Sequence, residues 1–403
     1  MSMPLRSRFL PAFLPLMVSP VLTGPLGAQR PPGLAAFSFR LFAAAAGEDG
    51  NACLSPWSAA IALAMARAGA AGDTASQLDA ALGVADGGAW REVARLREAV
   101  APPSVRAGDR EVEAYELAVA NAAWVQQEPG LQQDYVKVLT DVFEAPPRTI
   151  DFRLPAARST INRWVESRTG NRIRDLFPPG RPDPDSILVL VNCVYLNAPW
   201  AVPFPEHATR KEEFALIGKT AVEVDTMVRT GRLHYARTEH AHVVDLPLRG
   251  DVLAMRLIVP LERDGVARAQ QEMAASWPMR DALAPTRVEL HLPRWSLSCD
   301  YELRDPLRAL GIADAFERDR ADFSPMTGGK DLFISTVVHK TFVRVDEAGT
   351  EAAAATGVGM APTSAPLPED PIVVRADRPF LFVILHRDSG AILFIGRVAD
   401  PRG

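Results

Sequence analysis

The sequence predicts an α+β fold that forms one large unit. Helical signals concentrate in the first half of the chain and strand signals in the second, without the alternation that builds parallel α/β sheets. The 403 residues are 48% hydrophobic and 23% charged, so the chain can bury a sizeable core. Neither an internal repeat nor a clear linker divides the chain after residue 34.

The early helices are predicted from capping residues and from apolar spacing. Ser58 is placed to cap a helix over residues 59–68. Thr74 and Gln77 have the spacing of a capping box for a second helix. Apolar residues that share one helical face predict a third helix over residues 159–169.

The later part of the chain is predicted to form strands. Residues 187–196 are an almost unbroken apolar run, which indicates a strand buried on both faces. Apolar and alternating runs predict further strands over residues 252–259, 288–292, 332–345, 380–386 and 391–398. The last two strands flank the turn sequence Arg387-Asp388-Ser389-Gly390, which indicates a hairpin.

The first 33 residues differ from the rest and are predicted to be a signal peptide or a disordered extension. Arg6 and Arg8 precede an apolar stretch over residues 9–23, and Ala28 offers a small residue for cleavage. These features favour export, so we expect a secreted protein, with a cytoplasmic one as the alternative. Prolines within the apolar stretch would disturb a helical signal core, and they are the argument for a disordered extension instead.

Composition and motifs exclude several functional classes. The net charge of −5 predicts no general attraction to nucleic acid or to an anionic membrane. Cys53, Cys193 and Cys299 are too scattered for a disulfide framework or a structural zinc site. His240 and His242 alternate but lack a third ligand, so no metal or cofactor is expected. Without a P-loop, a zinc-protease motif, a dinucleotide fingerprint or a nucleophile elbow, the chain is not expected to be an enzyme.

Residues 347–379 are the most informative stretch, because they form an unusually long connection between two predicted strands. A connection of this length inside a compact domain indicates a functional loop. Its first half contains no proline from residue 348 to 361, whereas four prolines crowd the ten residues that follow. Proline cannot donate to a sheet ladder, so only the first half could enter the centre of a sheet.

The side chains of the first half have the same asymmetry. In an extended conformation one face would carry only small or uncharged residues, and Glu351 would lie on the other face. That face comprises Thr350, Ala352, Ala354, Thr356, Val358 and Met360. Such a segment could be inserted into a sheet without burying a charge. A flexible linker or a short helix are the alternatives, since alanine is the best helix former.

Motifs along the whole chain resemble those of the serpin family. Residues 347–356, Glu-Ala-Gly-Thr-Glu-Ala-Ala-Ala-Ala-Thr, are similar to the hinge of inhibitory serpins. The other motifs, in order, are Asn51-Ala-Cys-Leu-Ser55-Pro56-Trp-Ser58, Ile161-Asn162-Arg-Trp-Val165, Leu190-Val-Asn192-Cys-Val-Tyr195-Leu, Pro293-Arg294, His339-Lys340 and Phe394-Ile-Gly396-Arg397-Val. The ordered set is much more specific than any one motif.

The resemblance implies a single domain over residues 34–403 with three β-sheets and about nine helices. It also implies an exposed reactive-centre loop over residues 347–378. In this family a serine protease attacks the loop and becomes acylated, and the loop then inserts into the main sheet and distorts the protease. The resemblance therefore predicts an inhibitor of serine proteases that is itself no enzyme.

Site residues follow from the resemblance motif by motif. The implied hinge comprises Glu347, Gly349, Thr350, Glu351, Ala352, Ala353, Ala354, Ala355 and Thr356. The implied shutter, a polar cluster beneath the place where the sheet parts, comprises Ser55, Ser58, Asn192 and His339. The implied breach, at the top of the opening sheet, contains Trp200 and Arg294, the latter expected to pair with Glu347.

The expected reactive bond joins Thr363 and Ser364. Counting along the family hinge reaches this bond, and the proline-free run ends there. The loop is longer than in many family members, so Met360 and Leu367 are alternatives. A threonine at the primary position suits elastase-, chymotrypsin- or subtilisin-like proteases and does not suit a trypsin-like pocket.

A non-inhibitory serpin acting as a carrier, chaperone or storage protein is the alternative function. Such relatives carry charged or bulky residues or proline in the hinge, whereas this hinge has no proline and the face that begins at Thr350 has no charge. We therefore expect a monomeric inhibitor whose partner is a serine protease, with no nucleic acid, membrane or cofactor involved.

Overall fold

The computed structural model describes residues 33–84, 88–107, 110–127, 130–218, 220–350 and 370–403. Within them, the chain forms nine α-helices and three β-sheets. The helices are α1 Gly33–Ala45, α2 Pro56–Ala68, α3 Gly72–Leu82, α4 Ala89–Ala99, α5 Gln133–Asp141, α6 Ala156–Arg168, α7 Val266–Ser276, α8 Arg304–Ala309 and α9 Ser324–Thr327. This mixture of helices and sheets confirms the predicted α+β class.

The strands fall mostly where apolar runs predict them. They are β1 Ala52–Leu54, β2 Ser104–Ala107, β3 Arg110–Glu113, β4 Glu116–Gln126, β5 Arg148–Ile150, β6 Leu188–Pro199, β7 Arg210–Ala215, β8 Ala221–Arg237, β9 Ala241–Pro247, β10 Leu253–Pro260, β11 Ala284–Pro293, β12 Trp295–Glu302, β13 Ile334–Val345, β14 Gly349–Thr350, β15 Ile372–Arg375, β16 Phe380–His386 and β17 Ile392–Val398. Strand β16 has the predicted bounds, and the turn before β17 makes the predicted hairpin.

One sheet has six strands in the order β12-β13-β14-β6-β4-β5. Strands β13 and β6 pair with each other in parallel over most of their length. The two-residue strand β14 lies between them at one end only, antiparallel to both. The sheet therefore contains a short strand between β13 and β6 at one end. Along the rest of their length, β13 and β6 pair directly with each other.

The second sheet has nine strands and the third is the β2–β3 hairpin. Eight strands of the second sheet follow the order β1-β17-β16-β10-β9-β8-β11-β15, and β7 pairs with β8. Strand β15 was not predicted, because it falls inside the segment expected to be loop to residue 378. It pairs in parallel with β11, and at this sheet edge its side chains include the exposed Ile372 and Val373.

Two helices cover the opposite faces of the six-stranded sheet. Helix α2 is buried from Pro56 to Ala66, and it packs in the larger core between the sheets. A helix that is apolar on all sides is expected in such a position. Helix α6 lies on the other face, with Ile161 and Val165 in a smaller core cluster. The strands between α2 and α6 are consequently shielded from water on both sides.

Two of the predicted helix caps are wrong. Helix α2 begins at Pro56, and Ser55 caps it by accepting a hydrogen bond from the amide of Ser58. Helix α3 has no side-chain cap. Instead the hydroxyl of Thr74 accepts a hydrogen bond from the amide of Asp322. Gln77 Oε1 accepts hydrogen bonds from the amides of Ala313 and Asp314, which follow α8. These polar side chains bind distant segments, which local spacing does not reveal.

Candidate functional site

The candidate site is the line along which β13 and β6 meet, with β14 at its upper end. Val345 of β13 is the register partner of Thr350, which in turn lies opposite Ala198 of β6. The Thr350 hydroxyl accepts from the amide of Ala198 at 2.8 Å and donates to its carbonyl oxygen at 3.0 Å. Thr350 is 0% exposed, so its small uncharged side chain fits a closed position inside the sheet.

Gly349 is required by the close approach of β14 to β6. Its φ is +149°, a backbone conformation that L side chains rarely adopt. A Cβ at this position would lie under 3.0 Å from backbone atoms of Ala198, Pro199 and Trp200. A residue with a side chain would therefore push β14 out of its place.

Glu347 and Arg294 form the expected ion pair immediately before β14. Arg294 Nη2 donates to Glu347 Oε1 at 2.6 Å, and Arg294 Nε lies 2.9 Å from both carboxylate oxygens. Burial raises the pKa of Glu347, but hydrogen bonds from Arg294 and Thr209 outweigh it and leave that pKa below its usual value. Glu347 is buried, whereas the side chain of Arg294 is 45% exposed, so solvent still screens one side of this ion pair.

Trp200 packs beside the same segment. Its indole Nε1 donates to the carbonyl of Asp346 at 2.9 Å, and its backbone amide donates to the carbonyl of Ala348 at 2.9 Å. Its ring meets that of Phe204 edge to face, with 6.0 Å between centroids. Trp200 thus contacts the backbone on which the loop begins.

The four residues of the implied shutter come together at one level of the sheet. His339 and Asn192 are register partners on β13 and β6, and their side chains are hydrogen bonded to each other. The amide of Ser55 donates to His339 Nε2 at 2.9 Å. Asn192 Nδ2 donates to the hydroxyl of Ser58 at 2.6 Å. All four side chains are 0% exposed.

The proton on His339 can be assigned from its partners. Because the Ser55 amide is a donor, His339 Nε2 must be the unprotonated acceptor. Nδ1 then carries the proton and donates to Asn192 Oδ1. Burial lowers the pKa of His339 to about 3, so the ring is neutral at physiological pH.

The cluster is not arranged for nucleophilic catalysis. The Ser55 hydroxyl donates to the carbonyl of Leu393 at 2.6 Å, and the Ser58 hydroxyl donates to Asn121 Oδ1 at 3.0 Å. Neither hydroxyl is hydrogen bonded to His339 in the described part of the chain, and water cannot reach these side chains. A serine nucleophile needs its base within hydrogen-bonding reach and access to substrate.

Asn121 belongs to the cluster and was missed in the sequence. It lies on β4 opposite Asn192, accepts from Asn192 Nδ2 at 2.6 Å and donates to the carbonyl of Ser58 at 3.2 Å. The sequence does contain a signal for Asn121. Like Asn192, it is a single amide side chain within an apolar run, in this case residues 117–125. Thr209 was missed as well, because its link to Glu347 joins segments that are far apart in sequence.

Several predicted residues lie outside the described part of the chain. Among the hinge residues these are Glu351, Ala352, Ala353, Ala354, Ala355 and Thr356. The expected reactive bond Thr363-Ser364 and the alternatives Met360 and Leu367 lie outside it too, as does the possible signal peptide. Their assignments remain predictions.

The described residues contain neither a membrane-spanning helix nor a cluster of metal-ligating side chains. None of their helices is both long and apolar enough to cross a bilayer. No group of three or more metal-ligating side chains occurs in these ranges. His242, one of the two alternating histidines, instead lies with its Nδ1 2.9 Å from the hydroxyl of Tyr235.

Comparison with known proteins agrees with this geometry. A family model described as Serpin (serine protease inhibitor) matches residues 32–401. The leukocyte elastase inhibitor of Bos taurus is 36% identical over 368 residues, covering 87% of this chain and 93% of the relative. A serine protease inhibitor of Cyanea capillata is 35% identical over 365 residues, covering 88% and 93% respectively.

Solved structures give the same result. The crystal structure of Serpin48 from the insect Tenebrio molitor superposes with a TM-score of 0.80 at 29% sequence identity, covering 91% of this chain and 96% of that one. Both the family model and the relatives extend over most of the chain. The chain therefore belongs to the serpin family.

Proposed function

We propose that this chain inhibits serine proteases as a suicide substrate whose loop becomes a new strand between β13 and β6. The observation that carries the proposal is β14, which already occupies the first positions of that strand with Thr350 buried and hydrogen bonded to β6. A chain segment that enters a sheet here must be small and uncharged on its core-facing side. The hinge sequence meets this requirement from Thr350 onward.

The register of β14 supports the proposal and relates the hinge to the shutter. Thr350 lies opposite Ala198 on one side and Val345 on the other. Six residues after Thr350 along the loop is Thr356. Six residues before Ala198 on β6 is Asn192, and six residues before Val345 on β13 is His339. In a completed antiparallel strand, Thr356 would therefore lie between Asn192 and His339. The side chain of Thr356 would face the larger core, the one that contains α2, as those of Ala198 and Val345 do.

Insertion would therefore replace the Asn192–His339 hydrogen bond. The side-chain amide of Asn192 keeps its partner Asn121 on the neighbouring strand β4, and His339 keeps the backbone amide of Ser55. The hydroxyl of Thr356 can donate and accept, so it can satisfy the groups that separate. Such exchange avoids leaving buried polar atoms without partners.

The covalent step follows the ordinary chemistry of serine proteases. The protease serine attacks the carbonyl carbon of Thr363, an ester forms to the protease, and the Thr363–Ser364 peptide bond breaks. The amine of Ser364 leaves with the proton that the protease histidine supplies. We propose an elastase-, chymotrypsin- or subtilisin-like protease as the target, since threonine is small and uncharged.

The test uses Thr350→Arg and a matched Thr350→Ser variant with a panel of purified serine proteases. Thr350→Arg would bury a charge between β6 and β13, so the loop should be cleaved without trapping the protease. Thr350→Ser remains small and uncharged, and it should still form the SDS-resistant covalent complex. Mass spectrometry of the released carboxyl-terminal peptide locates the cleaved bond.

Unchanged complex formation by Thr350→Arg would contradict loop insertion as the mechanism. Cleavage of the wild-type loop by every protease, without any covalent complex, would instead support the non-inhibitory alternative. A cut after Met360 or Leu367 would move the reactive bond but would leave the insertion mechanism intact.

A further inference from the structure

Cys53 and Cys299 are far apart in the sequence, but the fold brings the strands that carry them together. Cys53 is the middle residue of β1, the end strand of the nine-stranded sheet, and Cys299 lies on β12. The hydroxyl of Thr341 on β13 donates to the carbonyl of Cys53 at 2.8 Å. The amide of Cys53 donates to the hydroxyl of Tyr301 on β12 at 3.3 Å. Both backbone polar groups of Cys53 are therefore bonded to the six-stranded sheet.

Cys299 lies at the same level of that sheet as the contact with Cys53. It is the register partner of Thr341, and side chains of antiparallel register partners lie on the same face of a sheet. Tyr301 is two residues further along β12, so its side chain is on this face too. The side chain of Cys299 is therefore directed toward β1.

Hydrogen bonds place the two cysteines around one tyrosine hydroxyl. The thiol of Cys299 is within hydrogen-bonding reach of the Tyr301 hydroxyl and of the backbone amide of Cys53. That amide is also the donor to the Tyr301 hydroxyl. Because only one rotatable bond, Cα–Cβ, separates the amide of a cysteine from its own sulfur, the two thiols are near neighbours.

The ionisation of these groups is coupled, which agrees with their proximity. Burial raises the pKa of Cys53, and a negative charge on Cys299 raises it further. Burial also raises the pKa of Tyr301, and charges on Cys299 and Cys53 add to that effect. Burial raises the pKa of Cys299 as well, although hydrogen bonds from Tyr301 and from the Cys53 amide oppose this. Charge coupling of this kind falls off with distance.

The two thiols differ in their access to solvent. Cys53 is 0% exposed, whereas Cys299 is only partly buried. A small reagent can therefore reach Cys299 directly, and it can reach Cys53 only through Cys299. This arrangement is typical of a redox pair, in which an accessible cysteine reacts first and a neighbouring cysteine resolves the product.

We propose that Cys53 and Cys299 are an oxidisable pair that forms a disulfide between β1 and β12 on reaction with a small-molecule disulfide. The Cys299 thiolate attacks one sulfur of the reagent, the reagent S–S bond breaks, and a reagent thiolate leaves. The Cys53 thiolate then attacks Cys299 Sγ in the mixed disulfide and expels the second reagent thiolate. The two cysteines lose two electrons and two protons, and the reagent disulfide gains them to become two thiols.

The bond would stabilise the folded protein without involving the loop. It would close a long segment of chain, which restricts the unfolded state. It would also fix β1, and with it the cap residue Ser55 that begins α2, to the end of the six-stranded sheet. The proposal uses no protease and no loop residue, so it is independent of the proposed function.

The experiment follows disulfide formation in the full-length protein. The protein is reduced, freed of reductant and incubated at about pH 8.5 with graded ratios of oxidised to reduced glutathione. Free thiols are alkylated before the chain is unfolded, and peptide mapping by mass spectrometry without reduction identifies the linked cysteines. We expect one link within the chain, between Cys53 and Cys299, with Cys193 recovered as the free thiol.

Cys193→Ala is the matched control, because Cys193 packs in the smaller core cluster, on the α6 face of the six-stranded sheet. This variant should keep the link between Cys53 and Cys299, and Cys299→Ala should lose it. Oxidation should raise the thermal midpoint of the wild type and of Cys193→Ala by about 3 °C or more. It should leave the midpoint of Cys299→Ala unchanged.

The wild-type peptide map decides the outcome even if Cys299→Ala does not fold. A stable glutathione adduct on Cys299 with Cys53 still reduced would overturn the proposal. So would a link between two chains, a link to Cys193, or the absence of any reaction at the most oxidising ratio. A Cys53–Cys299 link without a higher thermal midpoint would confirm the oxidisable pair and overturn its stabilising role.

Discussion

His339 is the residue whose ionisation most directly concerns the closed sheet. It is completely buried, and each ring nitrogen has one hydrogen-bond partner. A second proton would remove the acceptor that the Ser55 amide needs and would place a charge in the core. The folded protein therefore requires the neutral ring, whereas the unfolded chain has no such requirement.

This asymmetry predicts a pH-dependent stability. The pKa of His339 is about 3 in the folded protein and about 6.5 in an unfolded chain. Below pH ~6.5 the unfolded state binds the extra proton, so stability falls as pH decreases from ~6.5 toward ~3, with a slope of up to ~1.4 kcal/mol per pH unit. His339→Gln should lose this part of the slope between pH 6.5 and 4.5, measured as thermal midpoint against pH.

Comparing slopes rather than absolute midpoints separates ionisation from lost packing. Burial also lowers the pKa of His242 and of His386, so the wild type and the variant share their contributions. Equal slopes in the two proteins would contradict the neutral, buried state of His339.

Among the elements, β9 and β10 are joined by a buried ion pair. Arg256 is 1% exposed and donates to both carboxylate oxygens of Asp245, its register partner, at 2.7 and 2.8 Å. The guanidinium also donates to the carbonyl of Pro278 and lies 5.1 Å from the ring centroid of Trp277. The pair thus connects two strands of the nine-stranded sheet to the segment that follows α7.

Asp245→Asn should destabilise the protein by about 3–5 kcal/mol, because it leaves a buried cation without its counter-charge. Glu262→Gln is the matched control, since Glu262 pairs with Arg268 where both side chains are well exposed, and its effect should be within ~1 kcal/mol. Thermal or denaturant unfolding of both variants measures the difference. A loss of stability no larger than that of the control would show that the buried pair is not required.

For the whole molecule, the incomplete strand β14 has an energetic consequence under the proposed mechanism. Only Gly349 and Thr350 of the loop pair with the six-stranded sheet in the described structure, although β6 and β13 extend well beyond them. A completed strand would hydrogen bond to both neighbours along its length. The intact protein would then have a higher free energy than the protein with the completed strand. The uncleaved loop would prevent conversion to that lower state, so the intact fold would be kinetically stable.

Cleavage of the loop should therefore raise the thermal midpoint, because it frees the loop to complete the strand. The measurement compares intact and nicked protein by calorimetry, with Thr350→Arg treated identically as the control. The wild type should gain stability on cleavage, and the variant should gain much less. An identical midpoint before and after cleavage of the wild type would indicate a non-inhibitory serpin.

The amino-acid sequence by itself determined the strands with strong local patterns and the character of the hinge. The apolar run of β6, the β16–β17 hairpin and the uncharged residues from Thr350 follow from period and composition, which neighbouring residues define. Resemblance added the cluster of Ser55, Ser58, Asn192 and His339, whose members lie far apart in the chain.

Only the tertiary structure decided which polar groups meet. It brought Asn121 into the His339 cluster, made Ser55 rather than Ser58 the cap of α2, and paired β15 with β11 inside the expected loop. It also brought Cys53 and Cys299 to one tyrosine hydroxyl, that of Tyr301. The physical reason is that a hydrogen bond or a side-chain contact depends on which distant segments pack together. Local propensity depends on neighbouring residues and contains no information about those distant partners.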